Sequence, residues 1–166
     1  MKKGFTLVEM LLYLAILSIV VLTFSSFMFL SYTSRIKAAV IAEVEQQGNQ
    51  TMSLITQNIR NASSITSPSP GSTSNVLTLT EYTGSLSPTT FDQSVGVMRI
   101  REGTSAAVNI ISNRVTTPSL SFQNLSRSGT PGVVQIKFTL TYINSSGRGE
   151  YSYSKTFTST ASLRWP

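Results

Sequence analysis

The 166 residues include no cysteine and no histidine. Without cysteine there is no disulfide, no thiolate nucleophile and no zinc–thiolate site. Without histidine, the commonest general base and the commonest metal ligand are missing. Carboxylates are scarce as well. Past residue 61 the chain carries only Glu81, Asp92, Glu102 and Glu150, too widely spaced to suggest converging calcium ligands. No metal and no cofactor are expected. Phosphate-binding loops, dinucleotide fingerprints and nucleophile elbows are absent, and the motifs Gly71-Ser72-Thr73 and Ser145-Ser146-Gly147 lie in turn-like segments. A Ser/Lys pair using Lys137 or Lys155 is the nucleophile that composition leaves open. In a chain this rich in serine, such proximity arises by chance. The sequons at Asn49, Asn61, Asn124 and Asn144 have the same explanation. The chain reads as a non-enzyme.

Charge of either sign is sparse, at 12% of residues, with a formal net of +6. Setting Lys2 and Lys3 aside leaves +4, with the excess in residues 62–166. No basic cluster dense enough for a nucleic-acid surface occurs, so no nucleic-acid partner is expected. Proline is absent before Pro68.

What is present is a long apolar run. Residues 4–34 read GFTLVEMLLYLAILSIVVLTFSSFMFLSYTS, and the 25 residues 10–34 carry no charge. As a helix they span about 37 Å, enough to cross a hydrocarbon core of about 30 Å. Lys2 and Lys3 place the N-terminus in the cytoplasm and send the rest outward. A cleaved secretory signal has a shorter apolar core that ends in a small-residue cleavage site, and neither feature is found here. A plain signal anchor fits the length but not Glu9. A carboxylate among apolar residues costs about 2–3 kcal/mol near a bilayer centre and less near the interface. A Glu9 that merely snorkels to the interface is the bland alternative.

Gly4-Phe5-Thr6-Leu7-Val8-Glu9 resembles the prepilin cleavage and methylation motif of type IV pilins and type II secretion pseudopilins. The resemblance implies cleavage after Gly4 by a membrane prepilin peptidase and N-methylation of Phe5. It makes Glu9 the fifth residue of the mature chain, the acidic position used in assembly. It also implies as partners the prepilin peptidase, other pilin or pseudopilin subunits, an inner-membrane assembly platform and membrane lipid. Each residue has a physical task in that reading. Gly4 lets a peptidase approach an extended backbone. Cleavage leaves a cationic amine on Phe5, and that amine neutralises the Glu9 carboxylate of a neighbouring subunit, since a buried charge is tolerated only when paired.

The helix continues past residue 34. Ile36, Val40, Val44, Gly48, Met52, Ile55 and Ile59 recur at steps of three or four, an apolar stripe at helical period. From Phe5 to Asn61 one rod is about 85 Å long. Gly48 costs about 1 kcal/mol relative to alanine there. It marks either a bend or a close approach to a sheet. Residues 62–75, rich in Ser and Pro, read as a linker. Beyond them, residues 76–80, 95–101, 106–111 and 120–125 are strand-like. The clearest alternation is Val134, Ile136, Phe138, Leu140 and Tyr142 against Gln135, Lys137, Thr139 and Thr141. After a loop at residues 144–149, Tyr151, Tyr153 and Phe157 share one face of a return strand. The expected fold is α+β: a long N-terminal helix packed on a C-terminal antiparallel sheet. Its expected parts are a leader (1–4), a membrane helix (5–34), an amphipathic helix (35–61), a linker (62–75) and a β-rich domain (76–166).

Residues 50–62 and 156–164 are similar, weakly, to the helix end and last strand of PilW-type minor pilins and J-type minor pseudopilins. Many major pilins carry a proline in the membrane half, and this chain has none, which leans toward a minor subunit. The alternatives are a major pilin, a DNA-uptake pilus component and a membrane-anchored β-domain with no filament role.

Overall fold

A computed structural model describes Gly4 and residues 6–164. It divides into two compact units, Met1–Ala39 and Val40–Pro166. One helix, α1, runs Leu7–Asn61 and contributes to both.

In the first unit α1 is uncharged and apolar on every side from Met10 to Ser34. Every large hydrophobic side chain from Leu7 to Tyr32 is between 51% and 77% exposed. Such a surface is stable only when lipid or protein covers it. Four hydroxyls within it are satisfied locally. Ser18 donates to the Leu14 carbonyl at 2.7 Å, Thr23 to Val20 at 2.9 Å, Ser26 to Leu22 at 2.9 Å and Thr33 to Leu30 at 3.0 Å. These back-bonds spare the helix the cost of bringing free hydroxyls into an apolar solvent.

The second unit holds the rest of α1 and two antiparallel sheets. One sheet is β1 (Ala62–Ser67), β3 (Leu77–Glu81), β4 (Thr89–Ser94), β5 (Val97–Glu102) and β6 (Val108–Asn109), in that order. The other is β2 (Thr73–Ser74), β7 (Val115–Asn124), β8 (Val133–Tyr142) and β9 (Ser154–Ser162). The alternation read in β8 is realised: Val134, Ile136, Phe138 and Leu140 are fully buried. Phe138 faces Phe157 across the β8–β9 ladder, with ring centroids 5.4 Å apart. Burying each such ring is worth about 1.5–3 kcal/mol, and the stacking adds about 0.5–1.5 kcal/mol.

The helix stripe meets this core. Val40, Val44, Gly48, Thr51, Ile55 and Ile59 are buried. Gly48 is the site of closest approach: a Cβ there would overlap the Phe157 ring. Close approach to the sheet is therefore the role of this glycine. Thr51, not Met52, takes the buried place after it, because the three-residue step falls there. Met52 is only partly buried. The Thr51 hydroxyl is buried without a partner, a small cost. Polar contacts fix the helix along its flanks. Glu43 accepts from the Ser112 hydroxyl at 3.0 Å, and Gln47 accepts from the Ser112 amide at 3.2 Å. Glu45 pairs with Lys155 at 2.7 Å and accepts from the Tyr153 hydroxyl at 3.4 Å. The hydrogen-bonded Lys155 ammonium holds the Glu45 carboxyl below its ordinary pKa, and Glu45 raises that of Lys155.

Three expectations need correction. The stretch 62–75 is not a plain linker: it holds β1 and β2, and β1 begins directly after α1. Its small β-compatible residues take a place in the first sheet, with Ala62 and Ile65 paired to Glu81 and Leu79 of β3. Residues 89–94 form β4, although Asp92 and Gln93 weaken its strand signal; six-residue pairing with β5 supplies what propensity lacks. Val95 and Gly96 are turn, not strand, with φ of 51° and 74°. A two-residue hairpin of this hand needs positive φ at both positions.

Candidate functional site

The candidate site is the start of α1. Thr6 precedes the first helical residue, and its Oγ1 accepts the Glu9 backbone N–H at 3.3 Å. Its carbonyl accepts the Met10 N–H at 3.2 Å, the first bond of the helix. Thr6 is thus the N-cap, and Glu9 stands at the third helical position. This is the Thr-x-x-Glu pattern of a capping box, read from the N-cap side. A carboxylate in the first turn is also favoured by the helix dipole, by about 0.3–1 kcal/mol. Tyr13, one turn on, donates to Glu9 Oε1 at 3.4 Å.

The predicted site residues fall as follows. Gly4 is exposed, and a Cβ added to it would meet no atom of the chain within 4 Å. Packing among the described residues therefore gives no reason for a glycine there. Phe5 lies outside the described residues. Glu9 is exposed, among apolar neighbours that are exposed as well. Thr6 and Tyr13 were not singled out from sequence. The signals for them were the three-residue spacing from Thr6 to Glu9 and the four-residue spacing from Glu9 to Tyr13.

Two other candidates, Lys155 and Asn124, have structural roles. Lys155 is held by Glu45. Asn124 is buried, donates to the Pro68 carbonyl at 2.7 Å and accepts from the Ser126 amide at 3.0 Å, so its sequon is a turn anchor. Glu81, at the end of β3, has its carboxyl pKa raised by burial.

Residues 1–25 match the family described as the prokaryotic N-terminal methylation motif. No curated protein and no solved structure matches the chain significantly. The match covers the N-cap, Glu9 and the first turns of the apolar helix. It supports a type IV pilin-like protein, processed by prepilin peptidase and anchored by its N-terminal helix.

Proposed function

We propose that the chain is a minor structural subunit of a type IV pilus or a type II secretion pseudopilus. The observation that carries this reading is a single carboxylate, Glu9, in the first turn of a helix whose large apolar side chains from Leu7 to Tyr32 are all exposed. A lone membrane span is served as well by an uncharged first turn. A carboxylate there gains when a neighbour brings a cation to it. In the proposed sequence of events, prepilin peptidase cleaves after Gly4 and Phe5 is N-methylated. The freed amine of one subunit then meets Glu9 of the next. Residues 5–34 lie in the membrane until assembly, with the N-terminus cytoplasmic, and afterwards pack against the same stretch of neighbouring subunits. The missing proline in residues 5–34, and the weak similarity of residues 50–62 and 156–164 to minor subunits, support a minor role.

Among the described residues none comes within 4 Å of a Cβ at position 4, which supports assigning the glycine to peptidase recognition. Gly4→Val co-expressed with a prepilin peptidase is expected to keep its leader, read by mass spectrometry of the N-terminal peptide. Cleavage of the variant at the wild-type rate would contradict the assignment.

A further inference from the structure

Open sheet edges are template surfaces for other strands, and proteins blunt them with short strands, bulges, prolines and charges. In this molecule most edges are blunted. The edge strand β1 carries two register shifts and runs into Pro68. Strands β2 and β6 are two residues each. The part of β7 not covered by β2 carries Pro118 and a register shift, and its Thr117 amide is taken by the Gly96 carbonyl at 2.7 Å. Strand β9 is different. It ends its sheet, is nine residues long, contains no proline, and pairs with β8 without a shift.

The direction of its free backbone groups can be assigned. Tyr142 N–H donates to the Tyr153 carbonyl at 2.9 Å, and Leu163 N–H donates to the Gly132 carbonyl at 2.8 Å. Along an antiparallel strand, residues whose backbone groups face the neighbour alternate with residues that face away. With unbroken register, the odd-numbered residues of β9 face β8. Ser154, Thr156, Thr158, Thr160 and Ser162 therefore turn their N–H and C=O groups to the open side. Their side chains carry no charge to repel a strand. Arg164 continues that even-numbered series, and its N–H donates to the Arg60 carbonyl at 3.3 Å, so the helix closes the edge at this end.

A groove of about 520 Å³ lies at this closed end. Its walls include Ser53, Thr56, Gln57 and Arg60 of α1, and Arg164. Among the described residues no carboxylate lines it, and neither arginine has an ion-pair partner.

From these features we infer that β9 is a strand-addition site for an extended segment of another protein, with a carboxylate of that segment held by Arg60 and Arg164. Backbone pairing along β9 supplies affinity, and the arginines supply register and direction. Every strand pair in both sheets is antiparallel. Antiparallel addition puts the N-terminal end of the incoming strand beside the arginines. A second copy of β9 is a poorer occupant: antiparallel self-pairing sets Arg164 beside the partner's strand start at residue 154, where no acid stands.

The test uses the full chain in detergent micelles and acetylated ten-residue peptides of alternating Thr and Val. One peptide begins Glu-Glu, one begins Lys-Lys, and a third repeats the Glu-Glu peptide with N-methyl groups on alternate residues. Amide hydrogen exchange is read residue by residue. The Glu-Glu peptide is expected to slow exchange at Ser154, Thr156, Thr158, Thr160 and Ser162 by at least tenfold. The odd-numbered amides, already bonded to β8, are expected to stay unchanged. The Lys-Lys peptide is expected to bind at least tenfold more weakly, the methylated peptide to give no protection, and Arg164→Glu to remove the preference for acid. The inference is overturned if the Glu-Glu peptide leaves the even-numbered amides unprotected, or if the Lys-Lys peptide binds as well. It is also overturned if these amides become protected without peptide as protein concentration rises, which would assign the edge to self-association.

Discussion

The two ends of α1 share one secondary structure and face different surroundings. From Met10 to Ser34 the helix is uncharged and apolar all round, and its large side chains are exposed. From Val40 onward one residue in three or four is buried, and polar side chains cover the rest. Helix formation itself is served equally well by both halves. The difference lies in what each half is built to meet. The second half has its partner within the chain, in β8 and β9. In the first half the large side chains from Leu7 to Tyr32 are exposed instead, and the only charge between Leu7 and Ser34, Glu9, sits where the helix starts. Stability of the fold should therefore respond to the second half, and assembly to the first.

The largest expected effect is at Ile55, which is fully buried. Ile55→Ala is expected to cost about 2–5 kcal/mol, read by urea unfolding of the β-sheet signal in a mild detergent. A loss below about 0.5 kcal/mol, typical of surface substitutions, would mean the stripe does not hold the sheets. Next is Gly48. Alanine improves helix propensity by about 1 kcal/mol, but its Cβ would overlap the Phe157 ring. Overpacking of this kind costs about 1–3 kcal/mol, so Gly48→Ala is expected to destabilise or break even, where propensity alone predicts a gain. A clear rise in unfolding midpoint would show that the ring moves aside freely.

A smaller effect comes from pH. Glu45 has a depressed pKa, so its contribution is present above the unfolded carboxyl value and lost as pH falls through the folded one. Lys155 has a raised pKa, so its contribution is present below the unfolded amine value and lost as pH rises through the folded one. Stability from this pair should form a plateau that falls off in acid and in strong base. Glu81 has the opposite sign in acid: its pKa is raised by burial, so its ionisation opposes folding as pH rises. Glu45→Gln should flatten the acid fall, and Glu81→Gln should steepen it. The reverse pattern in urea midpoints from pH 3 to 7 would contradict these environments. The smallest effect is expected from Leu17→Ala, since Leu17 is 57% exposed: a change in unfolding within about 0.5 kcal/mol.

Much of the fold was legible because it rests on strong periodicity. The β8 alternation and the helix stripe each place a face without any knowledge of the partner. Gly48 was ambiguous in sequence, since a glycine in a helix signals either a bend or a close approach, and only the position of Phe157 decides. Strands β1, β2 and β4 carry little strand signal because Ser, Thr, Asp and Gln dominate them. Their strand state comes from pairing with β3, β5 and β7, not from local preference. At the candidate site, Gly4, Phe5 and Glu9 stood out through a motif. Thr6 and Tyr13 are visible only as spacings, because an N-cap concerns one helix turn and its signal is small beside the long apolar run.

The account stands or falls on Glu9 as an assembly group. Glu9→Leu leaves the cleaved bond and the sheets untouched, and removes a carboxylate that is costly in lipid. In a filament it would leave a neighbour's Phe5 amine buried without its partner, a loss of about 3–5 kcal/mol. The decisive measurement is the amount of Glu9→Leu chain in sheared filaments relative to processed chain in the membrane, beside a wild-type major subunit. The account predicts normal cleavage, accumulation of processed monomer in the membrane and strong depletion from filaments, with Glu9→Asp partly tolerated. Incorporation of Glu9→Leu at the wild-type level would contradict it, and would reduce Glu9 to a residue that completes the first helix turn with Thr6.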